Sequence, residues 1–224
     1  IRDRFKKAFL DLKKQGATSL VIDLRSNGGG LLDEAVEIAN YFLPRGKVIV
    51  TTKGKTKQAS NTYKTLREPL DLDIPITVLV NGATASASEI LSGAFQDFDR
   101  AVIVGSRTFG KGLVQTTRPL PYGGVMKLTT SKYYIPSGRC VQAIDYKHRN
   151  EDGSVGTIPD SLTTVFHTAA GREVRDGGGV MPDIEVKQEK LPNILFYLVR
   201  DNLIFDYATQ YCLKHPSIPS PQEF

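Results

Sequence analysis

The residues in this chain best suited to chemistry are a serine-rich segment and a lysine set between two glycines. The serine segment, Asn81–Ser88, follows an apolar run and precedes a helical pattern, which predicts that it lies at a helix N-terminus. Free N–H groups and the helix dipole at such a terminus favour developing negative charge. A serine in that position can act as a nucleophile, provided that a base removes its proton.

Lys111, which lies between Gly110 and Gly112, is the better candidate for this base. The chain has three histidines, none near the serine segment and none in a triad context: His148, His167 and His215. An isolated lysine side chain has a pKa of about 10.4 and is protonated at neutral pH, so a lysine must be desolvated before it can act as a base. The surrounding residues are apolar, and Gln115 could orient the amine through a neutral hydrogen bond.

Alternating strand and helix patterns must position these side chains, and they predict an α/β fold. Residues 1–15 show a helical pattern that ends at Gly16, and Ser19–Leu24 is typical of a strand buried on both faces. Asp145–Asp160 is polar and is predicted to be a mobile surface loop. The remaining predicted elements are a helix at Leu31–Phe42, a strand at Lys47–Thr52, short strands at Thr116–Pro119, Val125–Thr130 and Tyr133–Ile135, a hairpin at Thr163–Arg175 and a helical segment at Pro192–Leu213.

The glycines at positions 28–30 form a tight turn between a strand and a helix. They have two interpretations: backbone positions that need a positive φ, or an N–H group directed at a reacting oxygen. We favour the second interpretation, with Gly29 as the donor. The residues alone do not decide which hydroxyl of the serine segment reacts, because Thr84, Ser86 and Ser88 are each suited to a helix N-cap as well.

Composition excludes several classes of function. The 224 residues carry a net charge of +5, but the basic residues are scattered, which favours a solvated surface over nucleic-acid binding. No run approaches the roughly 18 apolar residues of a membrane span. The two cysteines, Cys140 and Cys212, give neither a metal spacing nor a disulfide framework, so we expect no metal and no cofactor.

One segment imitates a phosphate-binding loop. Gly105–Gly112 follows a predicted strand and fits G-x-x-x-x-G-K, but Gly112 replaces the Ser or Thr that would hold Mg²⁺. The residues that follow are typical of a strand rather than of a helix start. Nucleotide binding is therefore rejected.

Several motifs together resemble the carboxyl-terminal processing proteases, the tail-specific Ser/Lys peptidases of family S41. The resemblance covers residues 5–186 with the motifs in the family's order. These motifs are Ser86-Ala87-Ser88-Glu89-Ile90 with Gln96-Asp97, Thr108-Phe109-Gly110-Lys111-Gly112 with Gln115, Asp23-Leu24-Arg25-Ser26-Asn27-Gly28-Gly29-Gly30, Lys132–Arg139 and Gly177–Ile184.

The resemblance implies roles for individual residues. The first serine of S-A-S-E, Ser86, is the implied nucleophile, with Lys111 as base and Gln115 beside it. Ala87 then supplies a second oxyanion N–H in addition to Gly29. Asp97 is either a supporting residue of the site or a solvated carboxylate near a helix end.

The resemblance also implies an architecture and a setting. The core, residues 1–190, would be a spiral of β-β-α units like that of Clp protease and crotonase, with extra β-hairpins; residues 191–224 would be a C-terminal helical extension and linker. Family members usually carry a PDZ domain and a core strand before the equivalent of residue 1. We therefore expect a longer precursor, and a chain that is poorly active by itself, with Ser86 and Lys111 imperfectly aligned.

The implied function is a serine endopeptidase of the cell envelope or periplasm. It would hydrolyse peptide bonds near the C-terminus of unfolded or flexible proteins, with protein or peptide substrates as partners and a homo-oligomer as a further possibility. A non-catalytic binding module and a crotonase-like acyl-CoA enzyme are the alternatives on the same fold. The presence of Ser86, Lys111 and Gln115 together favours the protease.

Overall fold

The chain forms two units in the computed structural model, which describes residues 1–187, 192–215, 217–220 and 222–223. The first unit is Ile1–Val186 and the second is Lys187–Phe224. The predicted boundary between residues 190 and 191 lies outside the described residues. Within the described part, no helix has the length and apolar character that a membrane span requires.

The first unit contains three helices and twelve strands. The helices are α1 (Arg2–Lys14), α2 (Leu32–Asn40) and α3 (Ala87–Asp97). The strands are β1 (Leu20–Asp23), β2 (Val48–Gly54), β3 (Asn61–Lys64), β4 (Ile76–Val80), β5 (Val102–Gly105), β6 (Leu113–Pro119), β7 (Val125–Tyr134), β8 (Ile144–Arg149), β9 (Val155–Thr157), β10 (Val165–His167), β11 (Glu173–Arg175) and β12 (Ile184–Glu185).

A parallel sheet of order β1-β4-β5-β12 forms the centre of this unit, and the predicted α/β class is confirmed. One face of the sheet contributes Ile22, Val78 and Ile103 to a buried core that also includes residues of α2 and α3. Phe42, which is fully buried just after α2, packs against four other rings at centroid distances of 5.1 to 6.4 Å: Phe5, Phe9, Tyr41 and Phe95. This core fixes the start of α3 relative to the ends of β1 and β4.

A second sheet is antiparallel, with the order β3-β2-β7-β6, and its strand β6 begins two residues after Lys111. β7 is one continuous strand, where the sequence predicted separate pieces, because its residues pair with β6 along most of their length. The predicted loop at Asp145–Asp160 was wrong: β8 and β9 pair there as a hairpin. The predicted hairpin of β10 and β11 is confirmed.

The second unit contains α4 (Asn193–Arg200) and α5 (Leu203–Lys214). The sequence predicted one helical segment here. Asn202 interrupts it with a φ of 56°, a left-handed conformation that asparagine adopts more readily than most residues. Most large apolar side chains of both helices are exposed, while Leu195 and Leu198 are partly buried.

The prediction that β1 is buried on both faces was wrong. Val21 is 61% exposed, whereas its neighbour Ile22 is 7% exposed. The register pairs Val21 with Thr77 and Thr77 with Val102, so these three residues share the outer face of the parallel sheet. A run of apolar residues indicates that a strand is at least partly buried. It does not indicate whether other elements cover one face of the sheet or both.

Threonine substitutions at Val21 and at Ile22 test which face of β1 is exposed to solvent. Ile22→Thr should lower the free energy of unfolding by about 2 to 4 kcal/mol, because it leaves a cavity and buries a hydroxyl. Val21→Thr keeps a β-branched residue in water and should change it by less than about 0.5 kcal/mol. Urea unfolding measures both, and equal losses would contradict the assignment of the faces.

Candidate functional site

Ser86 lies directly before α3, at the helix N-terminus that the sequence predicted. Its φ is +58°, which is uncommon for a residue with a side chain and which turns the chain sharply into the helix. The two competing hydroxyls have other positions: Thr84 donates a hydrogen bond of 2.7 Å to the carbonyl of Leu24, and Ser88 is buried. Of the three, only Ser86 lines the cavity that also contains Lys111.

The two glycines that flank Lys111, Gly110 and Gly112, have no room for a side chain. Gly110 has a φ of +83°, and a Cβ atom there would lie 2.3 Å from the Cβ of Ala143. A Cβ at Gly112 would lie 3.0 Å from the Sγ of Cys140, a free and half-buried thiol. The two glycines therefore allow the Lys111 loop to pack directly against the segment before β8.

A buried carboxylate, Glu89, connects the serine turn to the lysine loop. Its Oε2 accepts the amides of Ser86 at 2.9 Å and Lys111 at 2.8 Å. Its Oε1 accepts the hydroxyl of Thr108 at 2.6 Å and the amide of Gly110 at 2.7 Å. One side chain thus satisfies four donors from two segments and sets the distance between them.

Tyr133 supports the same two segments from β7. Its hydroxyl lies within hydrogen-bond distance of the carbonyl oxygens of Lys111 and, at 3.2 Å, of Ser86. Burial raises the pKa of Tyr133 well above its ordinary value, so the phenol stays protonated and can donate. The sequence patterns predicted no role for Glu89 or Tyr133. For Glu89 a signal was present, since Ser86-x-x-Glu89 is a capping-box pattern.

The predicted catalytic side chains share one cavity of about 330 Å³. Ser86, Ala87 and Lys111 line it, with Gln115 exposed at its rim on β6. The other lining residues are Gly30, Leu31, Leu32, Ile90, Leu113, Val114, Lys127 and Tyr133. Among the described residues no hydrogen bond joins the Nζ of Lys111 to the Oγ of Ser86, so the alignment of the two groups stays a prediction.

The glycine turn lies against the start of α3. Gly29 has a φ of +92°, and a Cβ there would lie 2.6 Å from the Ala85 carbonyl and 2.8 Å from the Ala87 amide, so only glycine fits. The amide of Gly29 donates to the Oδ1 of Asn27 at 3.0 Å. Among the described residues the Ala87 amide has no acceptor, as expected at the first position of a helix.

Asp97 does not line the cavity, and its interpretation as a solvated carboxylate was wrong. It is 3% exposed and forms an ion pair of 2.9 Å with the equally buried Arg139. Its other oxygen accepts the amide of Ser137 at 2.8 Å. Asp97 ends α3, roughly 15 Å along the helix axis from Ala87. The sequence could not show this, because the partner that buries Asp97 lies far along the chain.

No group of three or more potential metal-ligating side chains occurs among the described residues. The site is instead composed of a hydroxyl, an amine, an amide side chain and backbone N–H groups around one cavity. These groups are suited to the transfer of an acyl group through a covalent intermediate.

Comparison with known proteins gives two family matches along the chain. The sequence profile of peptidase family S41 matches residues 1–160. A second profile, described as the C-terminal helical domain of a probable PDZ-protease, matches residues 194–224, which include α4 and α5.

Individual relatives agree with these matches. A protein named "Probable CtpA-like serine protease" from Staphylococcus aureus (strain N315) is 46% identical over 138 residues, which are 61% of this chain and 27% of the relative. The protein of the same name from Staphylococcus epidermidis is 40% identical over 70% of this chain and 33% of its own length. A solved structure, the photosystem II D1 C-terminal processing protease, superposes with a TM-score of 0.60 at 33% identity, over 83% of this chain and 39% of that protein. The chain thus spans about a third of the length of these relatives.

Replacing the connecting carboxylate by its amide tests the geometry of the site. In Glu89→Gln one oxygen becomes an NH₂ group, which faces two donors and leaves them without an acceptor. We expect a loss of about 1 to 3 kcal/mol of stability for each orphaned donor. We also expect faster hydrogen exchange at the amides of Ser86, Gly110 and Lys111. Glu68→Gln, at an exposed position, is the matched control; equal behaviour of the two variants would contradict the role of Glu89.

The protonation of Glu89 gives a second prediction. Burial raises its pKa above the ordinary 4.5, although its four hydrogen bonds oppose the shift. The folded protein therefore binds this proton more tightly than the unfolded chain, so the ionised group costs stability above the folded pKa, and that cost disappears as the pH falls towards 4.5. The protonated carboxyl can no longer accept all four donors. NMR titration of the Ser86 and Lys111 amides should show an inflection above pH 4.5 that Glu89→Gln lacks.

Proposed function

Because the chain belongs to peptidase family S41, we propose that it is a serine endopeptidase in which Ser86 is the nucleophile and Lys111 the general base. The neutral Lys111 amine takes the proton of the Ser86 hydroxyl while Oγ attacks the peptide carbonyl. The resulting ammonium then donates a proton to the leaving amine, and water hydrolyses the acyl-enzyme. Gln115, at the rim of the same cavity, orients the amine.

The oxyanion is held by the Ala87 amide and by an amide of the glycine turn. Two observations support the Ala87 amide as a donor to the oxyanion. Ala87 is the first residue of α3, and its N–H has no acceptor among the described residues. Gly29 is our choice in the turn because it packs directly against Ala87. To bind the substrate oxygen, the Gly29 amide would have to release its present acceptor, the Oδ1 of Asn27. Gly30 is the alternative donor, because it already lines the cavity.

The observation that carries the proposal is the common cavity of Ser86 and Lys111, whose two backbones share the Glu89 carboxylate. A binding module without catalysis has no evident need of a carboxylate that holds the backbones of a serine and a lysine beside one cavity. The turn at Ser86 also places a side chain in an uncommon φ region, and such backbone strain clusters at functional sites.

The substrate that we propose is the C-terminal region of an unfolded or flexible protein. β6 is the outer strand of its sheet among the described strands and carries Gln115 at the cavity. An extended peptide can pair with such a strand edge and bring its carbonyl to Ser86. By the same resemblance we propose a cell-envelope or periplasmic location, a PDZ domain in the full protein, a possible homo-oligomer, and a spiral of β-β-α units for the core.

Substitution of the two reacting residues tests the mechanism. Ser86→Ala and Lys111→Ala should each lower kcat/KM for an unstructured peptide by about 10³-fold or more, because the nucleophile or its base is lost. Ser88→Ala, in the same turn but outside the cavity, should retain most of the activity. Hydrolysis by Ser86→Ala at the unmodified rate would refute the assignment.

The substrate class has a separate test. Peptides of one sequence with a free or an amidated C-terminus should be cleaved at different rates if the terminus is recognised. Product masses locate the bond that is cleaved. Equal rates would remove the preference for C-terminal regions and leave the peptidase activity in place.

A further inference from the structure

A second and larger cavity adjoins the candidate site. Its volume is about 550 Å³, and it shares Leu113 and Gln115 of β6 with the cavity of Ser86. The rest of the wall comes from Thr129 and Lys132 of β7, from residues 144–148 of β8, and from Gln142 and Ile158, which precede β8 and follow β9. We call it the lysine-lined cavity, after Lys132 and Lys147 in its wall.

The side chains that line this cavity include more lysines than carboxylates. Lys132 and Lys147 face one carboxylate, Asp145, which is already paired with the Nδ1 of His148 at 2.6 Å. The neighbouring cavity adds Lys127. Three lysine side chains other than Lys111 therefore line the two cavities, although the whole chain carries a net charge of only +5.

Apolar and fixed polar groups complete the wall. Leu113, Ile144 and Ile158 provide apolar surface. The buried side chain of Gln142 accepts the amide of Gly112 at 2.8 Å and donates to the carbonyl of Ile144 at 3.0 Å. The wall is thus attached to the residue that follows Lys111 and does not belong to an independent surface loop.

We propose that the lysine-lined cavity is a substrate subsite that takes an acidic side chain, Asp or Glu, of the peptide being cleaved. This inference rests on the proposed function, because it assumes that a peptide lies along β6 beside Ser86. Each residue of an extended peptide advances about 3.3 Å, so a side chain a few residues from the reacting carbonyl passes Leu113 and Gln115 and enters the cavity. There its methylene groups contact the apolar wall while its carboxylate meets Lys132 and Lys147.

The expected selectivity is moderate. Lys132 and Lys147 are both exposed, and ion pairs in water are weak and screened by salt. One carboxylate in the subsite should therefore strengthen peptide binding about three- to tenfold at low ionic strength, and most of this gain should disappear in 1 M salt. The effect should depend on the position of the acidic residue, since only one or two positions of an extended peptide reach the cavity.

Binding to the Ser86→Ala chain tests the subsite independently of catalysis. A set of labelled peptides with amidated ends carries a single Glu at successive positions, and each has a matched Gln peptide. Fluorescence anisotropy should show tighter binding of Glu than of Gln at one position, or at two positions that lie two residues apart, because side chains of an extended peptide alternate between faces. In the Lys132→Gln/Lys147→Gln variant this ratio should fall to about one, with binding of the Gln peptides unchanged. Lys6→Gln, on the exposed surface of α1, is the matched control and should keep the preference.

Two results would overturn the inference: no preference for Glu at any position, or a preference that survives the double substitution. Neither of these bears on whether Ser86 and Lys111 hydrolyse peptides. Conversely, a Glu preference that depends on the two lysines would stand even if Ser86 proved not to be the nucleophile.

Discussion

The geometry of the candidate site depends on the Glu89 carboxylate and its four hydrogen bonds. Ser86 and Lys111 belong to segments that are separated by all of α3 and β5, and neither residue lies within a helix or a strand. Glu89 lies in the first turn of α3, where the helix dipole favours a negative charge. Its burial makes each hydrogen bond stronger, and it makes the loss of any one of them costly. A single ionised group therefore orders two loops at once.

At the C-terminal end of α3, a buried carboxylate is stabilised mainly by an ion pair and not mainly by backbone amides. Asp97 is paired with Arg139, and the guanidinium also donates to the Oε1 of Gln96 at 2.7 Å. Removing one member of such a pair leaves an uncompensated charge and typically costs about 3 to 5 kcal/mol. Buried carboxylates thus hold α3 at both ends, Glu89 at its start and Asp97 at its end.

The sequence predicted the local features of the site and missed the contacts between distant segments. The turn before α3 and the glycines around Lys111 were recognisable because turns and helix starts depend on neighbouring residues. The family resemblance is confirmed by the match to peptidase family S41. The burial of Asp97 depends on Arg139, and the open face at Val21 depends on which elements cover the sheet. Neither can be deduced from a window of adjacent residues.

Because Cys140 packs against Gly112, the reactivity of its thiol depends on whether the segment around Lys111 is open or closed. Burial raises the pKa of the Cys140 thiol, so it exists mainly in its unreactive form while the loop stays closed. Cys212, on α5, is exposed and provides a reference thiol in the same molecule. The ratio of the two rates of alkylation reflects the equilibrium between closed and open forms of the segment around Lys111. The order of the loop that carries Lys111 can thus be followed without substrate, by the kinetics of a chemical label.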